Sequence, residues 1–463
     1  MKQSRIRTTY KISIVEGIFA QVYGTLSTIG SGFIVKLLVM LNATAWQFSL
    51  LSAIGQVSQV FQPFAVAINF HLKNRKKNCI WLTFMGRVLT FFLGFGFIFG
   101  GSGINFVLVL LLFSAAFQSM GANIWIAWMS DLVPITIRGR FFSRRNQFLL
   151  SAGLIAGYLV SFVMDLFEQD RGTLKEALVT SLNMSGYFIK ANQATFISMV
   201  FVVATALSIF GLWILSKQPD RKPRHEPHPP TLKELYLEPL QDANFRKFLL
   251  YGCWWMMAIG IGSAFWSPFM LQKLKMSLFE MQVYGSLHTA STLVSYNFWG
   301  KFIDRNGNKS AMKIAIFLSG INPSMWLFMN AQNYRIIWFE ALLSGFMWAG
   351  AGIVATNFVL SIASKGREQV YAGIYGAVSG VGMMFTTLLS GILYPTSINI
   401  MGRHLEPEQI IFGIGAIIRW TAIIPLLFVH EARSVPLRQI FVNTLCSVHP
   451  AISQIKARFR RIN

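Results

Sequence analysis

The chain has 463 residues, of which 54% are hydrophobic and only 13% charged, with a mean hydropathy of +0.50 and a formal net charge of +23. A soluble protein of this size carries about 25% charged residues, so composition excludes one large soluble domain and indicates a chain that crosses a membrane many times. The basic excess is spread over short loops and forms no single basic face, which excludes a nucleic-acid partner.

Taken in order, the N-terminus is basic and leads into an apolar run too long for a signal peptide, which reads as a retained first span. Runs of about 20 or more mostly apolar residues, enough to cross a bilayer, fall at 12–40, 45–70, 79–100, 104–130, 141–165, 193–215, 246–271, 278–303, 311–330, 334–363, 371–395 and 408–430, here numbered spans 1 to 12. The segment 216–245, with Pro219, Pro223, Pro227, Pro229, Pro230 and Pro239, separates the spans six and six. The expected organisation is therefore an N-terminal six-helix bundle (1–215), a cytoplasmic linker (216–245), a C-terminal six-helix bundle (246–430) and a basic tail (431–463). In the linker, His225-Glu226-Pro227-His228 reads as solvated chain and not as a metal site. Cys79, Cys253 and Cys446 are scattered and odd in number, so no disulfide framework or paired-cysteine metal site is expected.

Of the 41 Lys and Arg residues, 31 fall in the segments 1–11, 71–78, 131–145, 216–247, 301–313, 364–370 and 431–463, which take in the termini and the loops after even-numbered spans with the span ends beside them, and seven fall on the other side. Basic loops face the cytoplasm, so both termini are expected there, in a plasma membrane, the inner one of a bacterium. The tail, ending Lys456-Ala457-Arg458-Phe459-Arg460-Arg461-Ile462, is suited to lie on anionic lipid.

The loop after span 8 reads Gly300-Lys301-Phe302-Ile303-Asp304-Arg305-Asn306-Gly307-Asn308-Lys309. A sharp turn at a water boundary needs a residue free to take positive φ, and Gly307 supplies it. The pattern Gly-x-x-x-Asp-Arg-x-Gly-x-Lys resembles the cytoplasmic loop signature of the major facilitator superfamily. Asp131-x-x-Pro134-x-x-x-Arg138-Gly139-Arg140 after span 4 resembles a form common in bacterial members, and Lys365-Gly366-Arg367 after span 10 echoes it. The loop after span 2, His71 to Lys77, keeps basic residues but has no acid or glycine. The resemblance implies an all-α membrane protein, with twelve transmembrane helices in two pseudo-symmetric six-helix bundles and a solute site near the midplane. It implies alternating-access transport of a small organic solute by a monomer, without a cofactor, as proton-coupled uptake or facilitated diffusion. Gly300, Asp304, Arg305, Gly307, Lys309, Asp131 and Arg138 become candidate gating residues. The alternative is multidrug or metabolite efflux by proton antiport, although span 5 has Gly153-x-x-x-Gly157 without the proline-containing glycine motif of antiporters. From another class, a transport-inactive sensor or scaffold would share the fold. Neither an ATP-binding loop nor His-Glu-x-x-His is present, so no pump or membrane enzyme is expected.

Ionisable groups inside a bilayer are costly and face a cavity or a partner. Glu16, Arg87, His288, Glu340 and Arg419 are such groups, with Lys36 able to snorkel to the surface. Spans 1, 4, 7 and 10 line the central cavity in the family. Glu340, Ser344 and Trp348 share one face of span 10, so Glu340 is either a coupling or binding acid or half of a structural ion pair, and Glu16, the next candidate, is either a proton site or a salt bridge to a neighbouring base. Arg87 and Arg419 lie on peripheral spans and are expected to be structural. Gln21 on span 1, Gln56 and Gln59 on span 2, Gln118 and Trp125 on span 4, Trp255 and Trp266 on span 7, His288 on span 8 and Trp348 are the candidate cavity residues. Amides and indoles suit a neutral or zwitterionic solute. Gly373, Gly376, Gly380 and Gly382 on span 11 offer a sliding surface toward span 2.

Overall fold

The computed structural model describes residues 3–61, 74–168, 172–181, 183–220, 238–363, 368–400, 402–431, 434–436 and 438–440. Most of the linker, the Lys365-Gly366-Arg367 loop, His71 to Lys73, the side chain of Gln59 and most of the tail lie outside the described residues.

The N-terminal half comprises α1 (Gln3–Ser27), α2 (Gly32–Met40), α3 (Ala45–Val60), α4 (Arg75–Phe91), α5 (Gly103–Leu132), α6 (Ile135–Asp165), α7 (Gly172–Ser181) and α8 (Gln193–Ser216). The C-terminal half comprises α9 (Ala243–Ser263), α10 (Trp266–Gln272), α11 (Leu278–Asn306), α12 (Asn308–Trp326), α13 (Ile336–Ile362), α14 (Glu368–Ile392), α15 (Pro407–Thr421) and α16 (Ile423–Leu427). Nine helical stretches among the described residues are long and apolar enough to cross a membrane. The remaining expected spans, 2, 8 and 9, correspond to α3, α11 and α12.

The structure revises several expectations in detail. Span 1 is two helices, because Ser31 turns its hydroxyl onto the N–H of Phe33 (3.2 Å) and starts α2 afresh. Span 7 breaks similarly at Ala264 and Phe265, between α9 and α10. Two of the loops between spans hold structure. In one, α7 buries Val179 against Leu166, Phe167 and Phe188. In the other, β1 (Ile398–Ile400) pairs antiparallel with β2 (Arg403–Leu405), with Asn399 opposite His404.

Each half has its own core. One is built on Tyr23, Ile34, Leu37, Val107, Leu111 and Phe201, the other on Phe245, Phe248, Trp255, Trp299, Met347 and Phe358. Loops with most of the basic residues gather at one end of the bundle, the basic end. There Arg75 pairs with Asp131 (2.7 Å) and the Lys76 ammonium donates to Gln218 O (2.8 Å). The equivalent loop after span 8 does the same in the other half. Gly307, at φ 84°, ends α11 and starts α12, and the Lys309 ammonium donates to Leu427 O and Val429 O (2.8 and 2.7 Å). Glu431 then accepts from the N–H groups of Asn308 and Lys309 (3.0 and 2.7 Å), an acid at a helix N-terminus.

Candidate functional site

Between the halves, α3 runs beside α14, and α6 beside α11. Their polar contacts lie toward the end opposite the basic loops. Asp165, closing α6, accepts from the N–H groups of Leu278 and Phe279 (3.1 and 3.4 Å) at the start of α11 and pairs with Lys175 (2.8 Å). Tyr158 donates to Ser286 (2.8 Å), Ser52 and Ser263 meet at 3.2 Å, and Leu278 inserts into the N-terminal core. Among the described residues no hydrogen bond or ion pair joins the halves at the basic end. Among the described residues, a side chain at Gly373 or Gly376 of α14 would meet nothing within 4 Å, and one at Gly380 would meet Gln56.

Two intramembrane acids sit in separate clusters. Glu340, four residues into α13 and 1% exposed, accepts from the Asn322 amide of α12. Tyr284, Trp326 and Arg419 face the same carboxyl, and its Oε2 accepts no hydrogen bond among the described residues. Arg419 donates to Ser319 O (3.2 Å) and lies 5.9 Å from the centre of the Trp266 ring. Glu16, 4% exposed, lies between Arg87 (3.6 Å) and Arg145 (3.8 Å). Arg87 donates to Ser208 O (2.8 Å), while Arg145 donates to Ser13 O (3.1 Å) and stacks over Trp125 at 4.6 Å. Lys36 reaches Glu168 (2.6 Å) at the far end.

The candidate cavity residues differ in their surroundings. Gln21 is half-buried and lies against Gly153, next to Gly157, whose neighbour is the Gln282 amide of α11. Gln56 is half-buried opposite Gly380. His288 is half-buried, with no hydrogen-bond partner for its ring among the described residues, and its backbone carbonyl abuts Gly345 of α13. Trp348 is half-buried beside the C-terminal core. Gln118 instead donates to Tyr23 (3.1 Å) and Ser114 (2.8 Å), joining an internal network with Thr90 and Thr205. Trp255 is buried in the C-terminal core, and Trp266 stacks flat on Phe412 at 3.9 Å. Periodicity cannot tell a polar face turned to a cavity from one turned to a neighbouring helix.

Asp304 and Arg305 are exposed, with no ion pair among the described residues, and a side chain at Gly300 would meet nothing. Arg138 donates to Val133 O within its own loop (3.4 Å). Arg145, grouped with the cytoplasmic loop by sequence, lies inside the bundle against Glu16. Tyr284, Asn322, Asp165 and Gln282 were missed because single polar residues in apolar helices carry no sequence sign of their partners. Asn322 beside Pro323 was the most visible.

The family model of the Major Facilitator Superfamily matches residues 17–387. The chain belongs to the Major Facilitator Superfamily: it is a multi-pass membrane transporter and not an enzyme. Among solved structures it is similar to a mutant of the nucleoside transporter NupG, with a TM-score of 0.69 and 13% identity over 92% of this chain and 100% of that one. The inward-open xylose transporter XylE from E. coli gives a TM-score of 0.61 and 14% identity over 91% and 96%. A bacterial homologue of the iron transporter ferroportin in an inward-facing state gives 0.58 and 13% over 92% and 99%. At such identities the likeness carries the fold alone. No curated protein matches the sequence.

Proposed function

We propose that the protein moves a small organic solute across the plasma membrane, the inner membrane of a bacterium, by alternating access as a monomer. Both termini are cytoplasmic, and proton exchange at Glu340 drives uptake. The observation that carries this reading is that the halves are joined by hydrogen bonds at the end remote from the basic loops, while among the described residues none joins them at the other end. With basic loops inside, this conformer is open to the cytoplasm.

Gln21, Gln56, His288 and Trp348 are half-buried on helices beside the interface between the halves, where a solute would meet both. Xylose, nucleosides and iron are named for the structural neighbours, and none is carried over to this chain. Glu340 supports coupling because it is buried beside Tyr284, Asn322, Trp326 and Arg419, with one oxygen accepting from the neutral Asn322 amide and Oε2 accepting no hydrogen bond among the described residues. Neutralising it would remove a buried charge before the loaded halves rock. The test is transport in proteoliposomes of the solute found by an unbiased metabolite uptake screen. Glu340→Gln should keep solute exchange and lose accumulation driven by a proton gradient, by about tenfold or more. Normal accumulation by the folded variant would remove Glu340 from coupling and make Glu16 the acid to test. Poor folding, rescued by neutralising Arg419 as well, would assign the pair to structure.

A further inference from the structure

The two halves repeat one intramembrane arrangement. Arg87 of α4 donates to the Ser208 carbonyl of α8 and faces Glu16 of α1. Arg419 of α15 donates to the Ser319 carbonyl of α12 and faces Glu340 of α13. In each half an arginine ties the two outer helices together, and a glutamate from a central helix balances its charge. The repeat accounts for those four residues as structure and coupling, but not for Arg145.

Arg145 has no counterpart facing Glu340, where Arg419 is the charged neighbour among the described residues. It lies ten residues into α6, about 15 Å along the helix, with its guanidinium beside Gly17 and on the Trp125 ring. Glu16, Arg87 and Arg145 together carry a net charge of +1 inside the bundle. The Glu16 Oε2 and the Arg87 Nε make no hydrogen bond among the described residues, and both gaps to the carboxylate are longer than a good ion pair. One acid cannot satisfy two guanidinium groups, and an uncompensated buried cation is costly. On the same face of α6, Leu149 packs on Gly17 beside Arg145, and beyond it come Gly153 and Gly157, seats of the Gln21 and Gln282 amides from opposite halves.

We infer that Arg145 is an anion-recognition residue and that the solute is a monoanion presenting a carboxylate to it. This rests on the transporter reading above and replaces the neutral or zwitterionic class suggested by the amides and indoles with an anionic one. A carboxylate matches the planar guanidinium fork, and a single negative charge brings the cluster to neutrality. The Trp125 ring and the Ser13 carbonyl hold the guanidinium in place, and Glu16 offsets only one of the two positive charges while no solute is bound. The amides of Gln21 and Gln282 lie further along α6, placed to meet the rest of the solute.

The experiment is retention of compounds from a bacterial small-molecule extract by the full chain in nanodiscs, identified by mass spectrometry, for the wild type and Arg145→Gln. Arg145→Gln leaves Glu16 and Arg87 as a neutral pair, so the variant should fold, which a melting curve checks. The expected result is retention of a solute bearing one carboxylate and a net charge of −1, reduced at least tenfold in Arg145→Gln and partly restored in Arg145→Lys. Retention of an uncharged or cationic solute, or of any solute equally by Arg145→Gln, would overturn the anion site and leave the transporter reading standing. If nothing is retained and nothing moves in proteoliposomes, it is the transporter reading itself that fails, and the inference falls with it.

Discussion

At the scale of single residues, the bundle places each intramembrane charge against a specific partner. Arg87 and Arg419 reach carbonyls of neighbouring helices at 2.8 and 3.2 Å. Lys36, given no role from sequence, binds Glu168 at the far end at 2.6 Å. Burial works against the Glu168 carboxylate, but the hydrogen bond and charge of Lys36, with the Gln193 amide, outweigh it and hold its pKa below the usual 4.5. A depressed carboxylate pKa stabilises the fold above the unfolded-state value, and the contribution is lost as pH falls through the lower folded-state value. The melting temperature of the wild type should therefore drop more than that of Glu168→Gln between about pH 5 and pH 3, read by thermal unfolding in detergent. Parallel pH curves would remove this ion pair from the stability of the far end. Since the pair is partly exposed, the difference should be small, on the order of a few degrees.

At the scale of elements, helix ends do much of the work. Ser277 and Glu280 form a capping box at the start of α11, and Asp165 adds a carboxylate to the same terminus from the other half. An anion at a helix N-terminus is favoured by the dipole and by the unpaired N–H groups, so Asp165 latches the halves at the far end. Asp304 sits at the opposite end of α11, exposed in this conformer and available to meet the start of α6 when the basic end closes. The two acids should act in opposite senses. Asp165→Asn should raise cysteine accessibility of the far-end vestibule, and Asp304→Asn that of the cytoplasmic vestibule, with solute affinity changed less than transport rate in both. Unchanged labelling and rate in either variant would strip that acid of its latch role. The capping box could be read from Ser-x-x-Glu, whereas the cross-half bond of Asp165 could not, since it joins residues more than a hundred positions apart.

At the scale of the whole molecule, the orientation rests on the 31 basic residues of one set of loops against seven of the other. Reporter fusions after residue 240 and at the C-terminus should both report cytoplasm, and a periplasmic signal from either would reverse the assignment of the open end. The sequence by itself determined the class of protein. Hydropathy summed over about 20 residues marks a membrane span whatever its neighbours are, and Gly307 in a short charged loop carries its own turn requirement, met at φ 84°. What only the tertiary structure decided was which polar residues face one another. Gln118 and Trp255 look like Gln21 and Trp348 on a helical wheel, yet Gln118 bonds to Tyr23 and Ser114 inside its own half and Trp255 is buried in a core. Arg145 read as a loop cation until α6 carried it beside Glu16. A helical period gives a residue's angle around its own axis, while its partner depends on how six helices pack around it, and that packing is fixed by contacts far apart in the chain.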